Sequence, residues 1–179
     1  EYGSMLMVDN YDWDLLRLFS ESTDTVGQIT MYSVGVEKTH DQLNKLVAIG
    51  EMLSKQYYIV TTNPPYMGSS NMRSKLFDYI QSNYADYKSD LFAAFILRSN
   101  EFTLQNGYYS LITQQAWMFK SSYRNLRPQI YSNTILNLLH LGAHAFDELG
   151  GEVVQTVSFT QSKNNIHNYK GIYISLDKC

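Results

Sequence analysis

The sequence predicts an α/β fold in which helices cover a layered sheet that is mostly parallel at first. Two observations carry this prediction. Runs of β-prone residues alternate with helical patterns along the chain, which is the order typical of α/β sheets. Hydrophobic residues make up 44% of the 179 residues and charged residues 17%, a globular composition that excludes a disordered chain. The length favours one domain, since domains hold about 150 residues.

Two helices open the predicted order. The first covers residues 12–22 and the second residues 38–55. In the second helix apolar residues recur at helical spacing and give one narrow apolar face, formed by Leu43, Leu46, Val47, Gly50 and Leu53.

After residue 55 the spacing of apolar residues changes from the pattern of a helix to that of a strand. Residues 57–62 read Tyr-Tyr-Ile-Val-Thr-Thr and are β-prone, and Asn63-Pro64-Pro65 follows at once. Proline has no N–H to donate to a ladder, so the strand must end there. We expect the resulting turn at the carboxyl edge of a sheet, where open α/β sheets bind their ligands.

The downstream elements continue the alternation. Ser89-Asp90 is an N-cap signal for a helix over residues 91–104, and Asn106-Gly107 is expected to end that helix in the left-handed conformation. Residues 67–71 are expected to form a loop. The other predicted elements are helices at 74–84 and 122–131 and strands at 108–113, 134–141, 153–160 and 171–176. The last two strands are expected to pair as a hairpin.

Charge and cysteine content limit the possible functions. The net charge is 14 − 17 = −3, which argues against a basic domain that coats nucleic acid, so any contact with nucleic acid must be local. Cys179 is the one cysteine, so no intramolecular disulfide forms.

No apolar run reaches the roughly 18 residues of a membrane span. The start lacks the pattern of a signal peptide, and we expect a cytoplasmic protein that does not bind a membrane.

Asn63-Pro64-Pro65-Tyr66 is the motif that carries chemistry. The prolines fix the backbone, so the Asn63 side-chain oxygen and the Pro64 carbonyl can face one way as two rigid acceptors. Two such acceptors suit a planar NH₂ group, and the Tyr66 ring offers a face on which a heterocycle can stack. A tight turn without function is the alternative interpretation of these four residues.

The segment Thr62–Tyr66 resembles the (Asn/Asp/Ser)-Pro-Pro-(Tyr/Phe) motif of S-adenosylmethionine-dependent amino-methyltransferases. The resemblance extends to γ-type N6-adenine DNA methyltransferases through Lys88–Ile96 and Asn106–Thr113. It is closest for the PglX family, the adenine-specific DNA methyltransferases of BREX phage-exclusion systems, through residues 115–119, 141–146 and 150–156.

This resemblance implies a Rossmann-like methyltransferase sheet and methylation of a flipped adenine in double-stranded DNA, with S-adenosylmethionine as the cofactor. Asn63 and the Pro64 carbonyl would accept hydrogen bonds from the adenine amino group, while Pro65 holds the turn. Tyr66 and Phe146 would stack on the base. The resemblance further implies a role in phage defence or restriction-modification, beside other defence proteins. The expected wall of the cofactor pocket is formed by Asp90, Leu91 and Phe92.

One departure from the family pattern concerns the cofactor. Such enzymes bind S-adenosylmethionine through a Gly-rich loop upstream of the catalytic motif, and residues 1–57 contain no such loop. The chain also begins without an initiator Met. We therefore expect a fragment: residues 1–56 as a helical segment and residues 57–179 as the second half of the catalytic domain, with late antiparallel strands. The cofactor-loop half and the target-recognition domain would be absent, the cofactor site incomplete, and the fragment inactive by itself.

Two alternatives stay open at this point. Protein glutamine N5-methyltransferases use the same motif, because a carboxamide also offers an NH₂ group. The chain could instead be a non-catalytic module that binds or assembles a defence complex. With half of the sheet absent, the strand at 57–62 would be an open edge, and we expect a homodimer or aggregation through it.

Three weaker clusters have simpler explanations. His140 and His144 are spaced like metal ligands but lack an evident third ligand. Asp9, Asp12 and Asp14 are expected to be solvated acids near a helix start. The basic residues Lys120, Arg124 and Arg127 either touch a DNA phosphate or form a solvated face. No metal site is expected.

Overall fold

A computed structural model describes residues 2–22, 33–142 and 154–176. The chain divides into two compact units. One is Gly3–Lys55, and the other is Gln56–Cys179 together with the first two residues. Among the described residues, no helix combines the length and the apolar character needed to cross a lipid bilayer.

The Gly3–Lys55 unit contains two helices, α1 at Trp13–Ser22 and α2 at Ser33–Ser54. Both were predicted, although α2 begins five residues earlier than expected. The helices approach closely at Gly50, where a Cβ would lie 2.9 Å from Cη2 of Trp13. The predicted apolar face of α2 is wrong in part, because Val47 is buried but Leu46 is 65% exposed.

An ion-pair network also joins the two helices. The Arg17 guanidinium donates to the Glu51 carboxylate, and Lys55 Nζ donates to the same carboxylate at 2.5 Å. Hydrogen bonds from Arg17 and Lys55 lower the pKa of Glu51, and the hydrogen bond to Glu51, followed by the Glu51 charge, raises the pKa of Arg17. The Arg17–Glu51 pair is partly buried, since the Glu51 side chain is 15% exposed, and it holds the helices together beside the contact at Gly50.

The second unit is built on a five-stranded sheet with the order β1-β2-β4-β3-β5. The strands are β1 at Tyr57–Thr62, β2 at Thr103–Gln114, β3 at Thr134–Gly142, β4 at Thr156–Ser162 and β5 at Ile172–Ser175. Strands β1 and β2 are parallel, whereas β4 is antiparallel to both β2 and β3. This confirms the predicted α/β sheet with late antiparallel strands.

The predicted hairpin of the last two strands is wrong. β2 and β3 occupy the two edges of β4, so β5 cannot pair with it. Instead β5 adds to the free edge of β3 in parallel, with Asn137 opposite Ile172. The chain therefore crosses over β3 instead of turning back on itself.

In the part of this unit that the structure describes, three helices accompany the sheet: α3 at Ser74–Asn83, α4 at Leu91–Phe102 and α5 at Leu126–Tyr131. The loop predicted at 67–71 contains a short 3₁₀ turn at Ser69–Asn71. The helix predicted from residue 122 begins only at Leu126, after another 3₁₀ turn at Ser121–Tyr123. Pro128 lies in the first turn of α5, where its missing N–H costs no helical hydrogen bond.

The left-handed residue predicted to end α4 lies inside a strand. Helix α4 ends at Phe102 and β2 begins at Thr103, so the expected helix end at residue 104 is wrong. Asn106 has φ 65°, as its residue type suggests. It belongs to a bulge, because Tyr57 opposes Thr103 while Ile59 opposes Tyr108.

The core lies between α4, α5 and the sheet. Its largest buried side chains include Trp117, Tyr109, Phe92 and Phe159. The Tyr109 hydroxyl donates to Oε1 of Gln161 at 2.7 Å and accepts from Nδ2 of Asn133 at 3.0 Å. Burial raises the pKa of Tyr109 to about 12. The sequence contains 15 tyrosines, and some of them supply part of the core, although Tyr58 and Tyr108 are exposed.

Candidate active site at the carboxyl end of the parallel strands

The Asn63–Tyr66 tetrapeptide follows β1 at the carboxyl edge of the sheet. Because β1 and β2 are parallel, the loops after Thr62 and after Gln114 leave the sheet at the same edge. Asn63 and Pro65 are exposed, whereas Pro64 is buried. The buried proline anchors the turn, and the Asn63 carboxamide lies on an exposed residue that a ligand can reach.

Tyr66 packs against the helix behind the turn. Its ring meets Phe92 edge to face, with centroids 6.2 Å apart and planes at 76°. Its hydroxyl is buried and has no hydrogen-bond partner among the residues that the structure describes. Burial, together with the Asp90 charge, raises the pKa of Tyr66 to about 12. The phenol is therefore neutral near pH 7, and Phe92 fixes the plane of the ring.

Asp90 attaches the loop after Tyr66 to α4. Its Oδ1 accepts from the N–H of Met67 at 3.1 Å and from the N–H of Phe92 at 3.3 Å, the second bond being the N-cap of α4. The Leu91 N–H donates to the Met67 carbonyl at 2.9 Å, and Gly68 forms a β-bridge with Asp90. The residues directly after Tyr66 are therefore held to the helix start from both sides.

The Asp90 carboxylate is only 7% exposed. Burial raises its pKa, while the backbone N–H groups of Phe92, Met67 and Leu91 act in the opposite direction. Because a buried carboxylate without hydrogen-bond donors is costly, these bonds hold the backbone donors in place. Sequence reasoning predicted the N-cap but missed the bond to Met67, which depends on a contact 23 residues away.

Comparison with known protein families gives a match to the sequence of this chain. Residues 15–146, more than half of the chain, match the Eco57I restriction-modification methylase family. The chain belongs to this family.

The Eco57I-family chain is also similar to two curated proteins. It is 40% identical over 177 residues to the adenine-specific methyltransferase PglX of Lacticaseibacillus casei (strain Zhang). It is 33% identical over 181 residues to the adenine-specific methyltransferase BrxX of Escherichia coli O9:H4 (strain HS). Each alignment covers 97% of this chain, and the chain spans 14% of the length of each relative. The predicted resemblance to adenine methyltransferases of the PglX family is confirmed.

A solved structure supports the fold. A Listeria monocytogenes protein described as a class I S-adenosylmethionine-dependent methyltransferase superposes with a TM-score of 0.53 at 12% identity. The match covers 69% of the Eco57I-family chain and 38% of the Listeria protein. The predicted Rossmann-like methyltransferase sheet is confirmed at the level of fold.

The residues predicted for the site fall into two groups. Asn63, Pro64, Pro65, Tyr66, Asp90, Leu91 and Phe92 come together at one edge of the sheet in this Eco57I-family chain. Leu91 and Phe92 are buried in the packing behind the loop. Phe146, the predicted second stacking ring, lies outside the described residues, as do His144 and Cys179.

The weaker clusters have structural explanations. Nδ1 of His140 lies 3.4 Å from Oγ of Ser175. Within residues 2–22, 33–142 and 154–176, no three His, Cys, Asp or Glu side chains are grouped to hold a metal. Asp12 accepts from the Leu15 N–H at 2.9 Å, and Asp14 accepts from Arg17 at 2.8 Å, as expected near a helix start.

The three basic residues after Phe119 separate into different roles. Arg127 Nη1 donates to the carbonyls of Trp117 and Lys120, at 3.0 and 2.8 Å, and so braces the chain after β2. Arg124 is exposed and lines a groove that also contains Lys88. Sequence reasoning did not bring Lys88 and Arg124 together, because 36 residues and a whole strand separate them.

Proposed function

We propose that the protein containing this chain is a DNA methyltransferase that methylates the N6 amino group of a flipped adenine, with S-adenosylmethionine as methyl donor. The observation that carries the proposal is the exposed Asn63 followed by the buried Pro64 at the carboxyl end of β1. Family membership and the names of the two curated relatives support the adenine substrate.

The chemistry follows from the two acceptors. The Asn63 side-chain oxygen and the Pro64 carbonyl accept the two amino hydrogens of adenine, which draws the nitrogen lone pair out of conjugation with the ring. The bound cofactor supplies an electrophilic methyl group on a sulfonium sulfur. In the transfer the amino nitrogen would take the methyl group as the S–C bond breaks, and one amino proton would leave to water. Catalysis is then mostly positioning and preorganised dipoles.

The described residues fit one part of the cofactor site. Among them, we propose Asp90, Leu91 and Phe92 as a wall of the pocket. The Asp90 carboxylate is a buried polar group among the apolar side chains of Leu91 and Phe92, and a polar group in an apolar setting is the combination that a nucleoside site requires. The remainder of the site would come from other parts of the protein.

Stacking offsets the cost of extruding the base. Flipping a base costs a few kcal/mol, and each base–aromatic stack returns about 1–3 kcal/mol. We assign the first stack to the Tyr66 ring, whose plane Phe92 fixes, and the second to Phe146.

The proposal extends to organisation and setting. Residues 57–179 would be the second half of the catalytic domain, preceded by the helical residues 1–56, with the cofactor loop and target recognition elsewhere in the protein. The protein would act in the cytoplasm, in a phage-defence or restriction-modification system with further defence proteins.

The outer edge of β1 is proposed as a pairing surface. Within the described chain β1 pairs only with β2, and Tyr58 and Ile59 are 59% and 70% exposed. Unpaired strand edges with apolar side chains recruit further strands. In the isolated chain, this edge would join two copies into a homodimer.

The test of function is transfer of a labelled methyl group by the complete protein. With duplex DNA as acceptor we expect label on adenine N6. Label that appears on glutamine in a protein acceptor, with none on DNA, would replace the proposal with a protein methyltransferase. Absence of transfer to either acceptor, with cofactor binding intact, would favour a binding or assembly module.

A further inference from the structure

We propose that a polar groove beside the catalytic loop binds the sugar-phosphate backbone of DNA through Lys88 and Arg124. The proposal rests on the proposed function, because it names where a DNA methyltransferase of this kind would hold its substrate strand. None of the groove's cations belongs to the catalytic tetrapeptide or to its anchor at Asp90.

Two segments that are distant in sequence form the groove. One wall comes from the stretch between β1 and α4, and the other comes from the stretch after β2. The groove has a volume of about 620 Å³. Its lining includes the hydroxyl residues Ser69, Ser89, Ser121 and Ser122 besides Lys88 and Arg124.

Contacts below the groove keep its walls in place. Nδ2 of Asn125 donates to Oδ1 of Asp86 at 3.0 Å and so ties one wall to the other. The buried Tyr123 ring packs on Phe92, with centroids 5.5 Å apart. On the other wall, the Ser69 N–H donates to the Ser89 carbonyl at 3.2 Å. The two cations are therefore carried on a braced surface, next to the loop that follows Tyr66.

The electrostatics of the groove favour an anion. Lys88 and Arg124 are exposed, and neither forms an ion pair within the part of the chain that the structure describes. The one acid of the lining, Asp86, accepts a hydrogen bond from Asn125 and keeps its negative charge, so the lining carries a net charge of 2 − 1 = +1. This local excess of positive charge stands out in a chain whose net charge is −3.

A phosphodiester backbone is the anion that fits best. Arg, Lys and Ser side chains are the usual contacts of DNA phosphates, and such contacts fix register without reading sequence. Most of the lining is exposed, which suits a strand that passes through better than a small molecule that is enclosed. Ser69 is three residues beyond Tyr66, so a strand held here would present a neighbouring nucleotide to the catalytic edge.

The experiment measures the salt dependence of duplex DNA binding by the complete protein. Each phosphate contact contributes about 0.9 to the slope of log K against log salt concentration. We expect Lys88→Ala and Arg124→Ala each to reduce the slope by about that amount, and the double variant by about twice as much. Affinity should fall equally for all DNA sequences, and KM for DNA should rise with kcat unchanged.

Two control variants separate charge from folding. Arg124→Lys keeps the charge and should retain the slope. Lys170→Ala removes an exposed lysine outside the groove and should leave the slope as it is. Equal thermal unfolding of all variants is expected, because the substituted side chains are exposed.

Unchanged slopes in both Lys88→Ala and Arg124→Ala, with adenine methylation intact, would overturn the groove proposal and leave the proposed function standing. Unchanged slopes with loss of a protein partner would also overturn it, since the groove would then dock protein. If the two variants reduce the salt slope of DNA binding but the protein methylates glutamine and not DNA, the proposed function is wrong and the groove still binds DNA phosphates.

Discussion

The Asp90 carboxylate accepts a hydrogen bond from the Met67 backbone N–H at 3.1 Å, although the two residues are 23 positions apart. The same oxygen caps α4 through the Phe92 N–H. One buried side chain thus fixes both the start of a core helix and the residue that follows Tyr66. The geometry of the candidate active site depends on this double use of Asp90.

Substitution of Asp90 tests that dependence. We expect Asp90→Ala to lower the free energy of unfolding by about 1–2 kcal/mol for the lost cap and about 1 kcal/mol for the lost bond to Met67. Asp90→Asn keeps an acceptor oxygen and should retain most of that stability. Chemical denaturation of the two variants measures the difference, and equal stability would show that Asp90 does not hold the loop.

The pH dependence of the same residue has a definite sign. Burial raises the pKa of Asp90 in the folded protein, so its protonated form is favoured there. Its contribution to stability is fully present below the ordinary pKa of an aspartate and is lost as the pH rises through the raised value. Unfolding of Asp90→Asn measured across this acidic range should lack that decline. If the stability of Asp90→Asn declines with rising pH as much as that of the unsubstituted protein, the decline belongs to groups other than Asp90.

Tyr66→Phe removes a hydroxyl that is buried without a partner. An unsatisfied buried polar group costs about 1–3 kcal/mol, so we expect this variant to be as stable as the unsubstituted protein or more stable. The ring remains, and methyl transfer should therefore persist. Tyr66→Ala removes the stacking surface and should lower the rate of methyl transfer by about 5- to 150-fold, since a base–aromatic stack is worth about 1–3 kcal/mol. If both variants lose methyl transfer equally, the hydroxyl and not the ring face is the part of Tyr66 that matters for transfer.

Two glycines on the same unit form a matched pair. At Gly107 a Cβ would lie 2.7 Å from the Tyr58 carbonyl oxygen of β1, whereas at Gly68 the nearest atom is the Ser89 carbonyl oxygen at 4.0 Å. We expect Gly107→Ala to cost about 1–3 kcal/mol by separating β1 from β2, and Gly68→Ala to be tolerated. Thermal unfolding of both variants decides this, and equal melting temperatures would contradict the close approach at the bulge.

Self-association of the 179-residue chain tests the proposed strand pairing. Light scattering at high concentration should give a dimer, and Ile59→Lys should give a monomer because a charge on the edge strand blocks pairing. Ile166→Lys, in an exposed loop, serves as the control and should remain dimeric. A clean monomer of the unsubstituted chain would remove the proposal.

Local chemistry explains how far the sequence could predict this structure. The bounds of β1 were predicted to the residue, because the prolines that follow leave the strand no other end. The left-handed conformation at Asn106 was predicted as well, but not its position in a bulge, since that depends on where Tyr57 and Ile59 pair across the sheet. The pairing of β5 with β3 could not be predicted either, because it depends on which strand edges remain free once the other strands have paired.

In the candidate site, too, local features could be predicted and contacts between distant segments could not. Residues within one motif, Asn63 to Tyr66, could be singled out from spacing and residue type alone. Two other features arise only when separate segments fold against each other. They are the hydrogen bond from Met67 to Asp90 and the groove that contains Lys88 and Arg124. Nothing in the local pattern marks Lys88 as part of the same surface as Arg124.

The most direct measurement is methyl transfer to adenine in duplex DNA by the complete protein with Asn63→Ala. Asn63 is exposed, so the variant should fold normally while losing one of the two acceptors for the amino group. Loss of one preorganised hydrogen-bonding group at a reacting centre costs about 10²–10³ in rate, and we predict a fall in kcat of that size. Asn71→Ala, at an exposed asparagine of the same loop, should keep full activity. Activity of Asn63→Ala within about twofold of the unsubstituted protein would contradict the account, since that ratio corresponds to under 1 kcal/mol.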